Sequence, residues 1–61
     1  MSTNALLTGV IGEAVLELIE RKELVASDSI LKMIEKKRSF SQNRAQQQIL
    51  DYAIEWIKKG V

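Results

Sequence analysis

The stretch Gly9–Ile19, GVIGEAVLELI, constrains the fold of this chain more than any other. It is the most apolar part of the sequence and holds two of its three glycines. At about 100° per residue on a helix, Leu7, Ile11, Ala14, Val15 and Leu18 fall together. Gly12, Leu16 and Ile19 extend that surface into an apolar arc roughly 200° wide. Glu13, Glu17 and Glu20 gather on the remaining side. A surface helix of a monomer usually shows a stripe of about 100° or somewhat more. This helix is built to be covered on more than one side.

The chain has 61 residues, enough for a single small domain covering 1–61. A chain of this size buries only about 60% of its unfolded surface, and natural chains this small commonly rely on disulfides, a metal or oligomerisation. Cys and His are both absent. That excludes disulfides, the usual zinc sites, and Cys–His or Ser–His catalysis. Oligomerisation or unusually good helix packing is left. The apolar content of 46% is that of a globular protein and not of a disordered tail. With no Pro and abundant Leu, Ile, Glu, Lys, Gln and Ala, the sequence favours helix throughout. No signal peptide is visible, and Glu13 ends an apolar run far below the roughly 20 residues that span a bilayer. A cytoplasmic location without membrane contact is expected.

In chain order, Ser2, Thr3 or Asn4 can cap a first helix, with Thr8 a later candidate before the helix-weakening Gly9. This helix is expected to reach about Lys22, with Glu17 and Arg21 paired four residues apart. Lys22–Ser27 reads as a connection in which Leu24 and Val25 are apolar plugs. Ser27 or Asp28 then caps a short second helix to about Lys37, burying Ile30, Leu31, Met33 and Ile34. Ser39 with Gln42 forms a capping-box pattern that opens a third helix. It runs to about Lys59, where Gly60 is its stop, and Glu55 and Lys59 form a favourable pair. Its apolar arc holds Ala45, Ile49, Leu50, Tyr52, Ala53, Ile54, Trp56 and Ile57.

The fold class is therefore all-α, with three helices in the order long, short, long. Two wide arcs exceed what three helices can hide, which predicts an intertwined homodimeric bundle, two-fold pairing being the commonest symmetry. Gly12, Ile11, Val15, Leu18, Ile49, Tyr52, Ala53 and Trp56 are its candidate interface and core residues. Tyr52 and Trp56, four residues apart, and Phe40 just before them have the spacing of core aromatics. In a small dimer, core and interface anchor are one role.

Chemistry finds little purchase. The acids of the first helix form a solvated face, and no Gly-rich loop follows a strand, so Gly9 and Gly12 are no phosphate cradle. They are better explained by close packing, because a mid-helix Gly costs about 1 kcal/mol against Ala. No catalysis, cofactor, metal or small-molecule substrate is expected. Net charge is only +1. It is divided unevenly: residues 1–29 hold five acids and two bases, and residues 30–61 hold seven bases and three acids. Lys36, Lys37, Arg38 and Arg44 flank one turn. They are either ordinary helix-end charge or a patch for DNA phosphates or an acidic partner. Asn43, Gln46, Gln47 and Gln48 are the only polar base readers nearby.

With the helices placed, the sequence resembles the YmgB/AriR family of small enterobacterial regulators of biofilm formation and acid resistance. The likeness rests on IGEAV at 11–15, then Leu18 and Ile19, then Ile30, Leu31 and Ile34. It ends with Ile49, Leu50, Ala53, Ile54 and Ile57, covering about residues 9–58. The resemblance implies a helical homodimer with coiled-coil-like contacts and no enzymatic activity. It would act as a connector that binds a signalling protein and feeds a two-component phosphorelay. DNA binding, proposed for the family, is the alternative, here through Lys36–Arg38 and Arg44. Against the longer members of that family, this chain is expected to lack an N-terminal extension before the first helix, and with it any function that resides there.

Overall fold

A computed structural model describes residues 3–60 and contains three α-helices: α1 (Thr3–Glu20), α2 (Ser27–Phe40) and α3 (Arg44–Lys58). Among the described residues there is no strand. The fold is all-α, as the periodicity requires. The middle helix is not short, however: at 14 residues it nearly matches the 15 of α3.

Each helix end has an identifiable cause. Thr3 and Asn4 already lie inside α1, and Ser2 lies outside the described residues. Thr8 is no cap either, because its hydroxyl donates back to the Asn4 carbonyl at 2.8 Å within the helix. α1 stops at Glu20, two residues before Lys22. The Lys22 N–H donates to the Ile19 carbonyl and the Glu23 N–H to the Leu18 carbonyl. That pair of bonds is a Schellman closure. It puts Lys22 at φ +58°, the left-handed conformation that a residue with a Cβ adopts only at a cost.

The α2 boundaries differ from expectation at both ends. Ala26 occupies the N-cap position without any side-chain bond. Ser27 and Asp28 fall inside the first turn, where the Asp28 carboxylate still suits the helix dipole. At the other end α2 continues through Ser39, whose hydroxyl donates to the Lys36 carbonyl at 2.8 Å. The Ser39–Gln42 capping box therefore does not form. Its chemistry reappears four residues later: the Asn43 side chain accepts from the Gln46 N–H at 3.1 Å. This register prevails because it also satisfies the connection. The Ser41 hydroxyl donates to Gln46 Oε1, and Gln47 Nε2 donates to the Ser41 carbonyl at 2.6 Å. At the end of α3, Gly60 takes φ +78° and donates to the Ile57 carbonyl, the glycine stop that the sequence predicts.

The core is one small layer to which every helix contributes: Leu7, Ala14 and Leu18 from α1, Met33 and Ile34 from α2, Leu50 and Ala53 from α3. Each helix packs against both others. Val10, Ile11, Ile30, Ile49, Ile54 and Ile57 pack half-buried around this layer. No buried residue is polar or charged among those described. Leu24 and Val25 do not plug the first connection. Leu24 is 78% exposed, since backbone bonds, not apolar anchoring, close that turn.

Two substitutions test this account of the helix ends. Lys22→Gly relieves the left-handed conformation and should raise unfolding stability by about 0.5–1 kcal/mol net of the added chain entropy. Asn43→Ala removes the α3 cap and should lower stability by about 1 kcal/mol. Urea titration followed by circular dichroism measures both.

Candidate interaction surface

On α1 the buried residues Leu7, Ala14 and Leu18 define the inward direction. Counting about 100° per residue from them, Ala5, Gly9, Gly12, Leu16 and Ile19 form the face turned away, with Glu13 and Glu20 along one edge and Thr8 and Val15 along the other. Leu16 is 60% exposed and Ile19 55%. A Cβ built on Gly9 or Gly12 would meet nothing within 4 Å. The close approach expected at these glycines is therefore absent within the chain, because α2 and α3 both pack on the opposite side of α1.

The same angular count orders the flanks. Glu17 pairs with Lys37, which puts α2 on one flank of α1 and leaves Val15 and Ile19 toward α3. On α3, Asp51 pairs with Arg38 and Ile54 shares a hollow with Glu35 and Arg38, so that flank faces α2. Ile49, Tyr52 and Trp56 lie on the other flank, toward α1. The two flanks border one seam. By this count Val15 and Ile19 of α1 and Tyr52 and Trp56 of α3 lie toward that seam, and Leu16, Ile19, Tyr52 and Trp56 are exposed.

The eight residues singled out from sequence divide accordingly. Leu18 and Ala53 are buried inside the single chain, and Ile11 and Ile49 pack half-buried against the core. Val15 and Gly12 are half-buried at the seam. Tyr52 and Trp56 are exposed and are not core aromatics here. Phe40 was also expected in the core, but it ends α2 and stands 75% exposed. It walls a groove of about 350 Å³ whose lining includes Val10, Met33 and Leu50. Sequence reading missed this groove because it ended α2 near Lys37 and placed Phe40 at the start of α3, whereas α2 runs through Phe40.

The basic residues do not form one patch. Lys37 Nζ donates to Glu17 Oε1 at 2.9 Å, so Glu17 binds Lys37 across helices where an Arg21 pairing within α1 was expected. The Arg38 guanidinium makes a forked contact with Asp51. Lys36 and Lys37 line the Phe40 groove, whereas Arg38 and Arg44 line a separate hollow with Gln47, Gln48 and Asp51. Glu55 and Lys59 approach to 4.0 Å, as expected. The bond from Lys37 holds the Glu17 carboxyl below its ordinary range, with smaller help from the charges of Arg21 and Lys36 against a desolvation penalty. Asp51 holds the Arg38 guanidinium still more firmly protonated.

Among the described residues no group of three or more His, Cys, Asp or Glu is placed to hold a metal ion, and no helix is long and apolar enough to cross a membrane. Comparison with known protein families, curated proteins and solved structures found no match for this chain.

The Glu17–Lys37 pair has a pH signature. Because folding lowers the Glu17 pKa, its contribution is present above the ordinary glutamate value and is lost as pH falls through the lowered one. Glu17→Gln should flatten the stability profile in that acid window and leave neutral stability little changed, as for an exposed pair. Urea midpoints measured across acid pH with both proteins test this, and parallel profiles would contradict it.

Proposed function

We propose that the chain is a small non-enzymatic regulator that works as a homodimer and binds a signalling protein. One observation carries this reading: the surface of Leu16, Ile19, Tyr52 and Trp56 stays open once the single-chain core is complete. Contiguous apolar surface of this kind marks interaction sites on small proteins, and exposed Tyr and Trp are the residues that anchor interfaces.

The YmgB/AriR resemblance supplies the context for this reading: a connector feeding a phosphorelay that controls biofilm and acid-resistance genes in the cytoplasm. DNA binding through Lys36, Lys37, Arg38 and Arg44 has less support. Two of these four charges are engaged by carboxylates, and Lys36, Lys37 and Arg38 lie on α2 whereas Arg44 opens α3.

Light scattering on the purified chain should give twice the 6.9 kDa of the monomer. Leu16→Asp and Tyr52→Asp, both at exposed positions, should give the monomer mass with unchanged helical circular dichroism. A wild-type chain that stays monomeric at hundreds of micromolar would refute the reading. The regulatory half is tested by affinity capture from cell lysate, where a sensor kinase or response regulator is expected and repeated recovery of neither counts against it. A gel shift at low salt should show no DNA retardation, whereas steeply salt-dependent binding would favour the alternative.

A further inference from the structure

We propose that α1 pairs antiparallel with α1 of a second copy, across a two-fold axis that passes near Gly12. This rests on the self-association argued above and specifies its geometry. The outer face of α1 is graded along its length. Ala5, Thr8, Gly9 and Gly12 make its N-terminal half small, and Val15, Leu16 and Ile19 make its C-terminal half large. Small residues alone define no contact. The exposed Leu16 and Ile19 are the groups that need cover.

An antiparallel copy centred on Gly12 lays Leu16 over Thr8, Val15 over Gly9, and Ile19 over Ala5. Two-fold symmetry repeats each of these contacts, so large meets small along the whole helix. A parallel pair would set Leu16 against Leu16 and Gly9 against Gly9, crowding one half and leaving voids in the other; both faults destabilise packed interfaces. The match is a property of two copies of this one helix, which is why the occupant is a second copy of the chain. Nothing in the chain occupies the space over Gly9 and Gly12, so the partner helix can approach to the short end of the usual 8–10 Å range. Glu13 and Glu20 border this face on the side of Gly9 and Leu16, where the angular count from Ala14 places them, and both are exposed to water. Tyr52 and Trp56, beside the seam, extend the same contact.

The chain contains no cysteine, so single substitutions in the full chain report contacts directly. Under mild oxidation Gly12→Cys should form a disulfide-linked dimer in high yield. An equal mixture of Ala5→Cys and Ile19→Cys chains should give the mixed dimer in excess over either homodimer. Glu35→Cys, on an exposed part of α2, should give almost none. Gly12→Leu should keep full helical content, since its side chain enters open space, and should weaken dimerisation at least tenfold. Efficient homodimers of both Gly9→Cys and Leu16→Cys would overturn the antiparallel register while leaving self-association intact. Gly12→Leu chains that pair as tightly as wild type would overturn it as well. A monomeric mass for the unmodified chain would overturn both the register and the self-association beneath it.

Discussion

The structure depends on one thin contact: Leu7, Ala14 and Leu18 of α1 closing over Ile34 of α2 and Leu50 and Ala53 of α3. Ala14 and Ala53 are fully buried, and their small side chains let helices draw together over so few large residues. Only seven described residues are buried. In a chain of this size the surface is large relative to the volume, so a single layer of this kind is nearly all the burial one copy can achieve. That geometry accounts for the rest. A helix can turn one side to such a layer, and α1 is apolar on two.

The cross-helix ion pairs play a different part. Glu17–Lys37 and Arg38–Asp51 join α2 to each of its neighbours, yet all four side chains remain substantially accessible to solvent. Exposed pairs of this type contribute little net stability, about 0–1 kcal/mol. Their effect is on arrangement: they occupy two of the cations that would otherwise be free for an acidic partner. The sequence-level cluster of Lys36, Lys37, Arg38 and Arg44 is thus divided by the fold, because the adjacent residues Lys36, Lys37 and Arg38 point about 100° apart on α2 and Arg44 belongs to α3.

Helix content and the buried lines were legible from periodicity. Met33, Ile34, Leu50 and Ala53 lie where a period of 3.6 puts them. The boundaries were less legible, for a physical reason. Ser39–Gln42 and Asn43–Gln46 offer nearly equal capping chemistry, and the choice between them is made by Ser41 and Gln47, whose bonds exist only once the connection is folded. Leu24 and Val25 misled because hydrophobicity alone does not reveal a turn already closed by backbone hydrogen bonds. The surface was half legible. The width of the α1 arc pointed to a second contact, but which residues face it followed only when Leu7, Ala14 and Leu18 were seen to face inward. The glycines read from sequence as sites of close packing, and within the chain a Cβ on Gly9 or Gly12 meets nothing within 4 Å.

The central claim is that the outer face of α1 is covered in solution by another copy of the chain. If pairing occurs in the folded state and is lost on unfolding, mass action makes thermal stability depend on concentration. The most direct measurement is the unfolding midpoint of the unmodified chain, followed by circular dichroism over a hundredfold range of protein concentration. The account predicts a midpoint that climbs steadily with concentration. A midpoint that stays constant over that range, with the chain monomeric throughout, would contradict it.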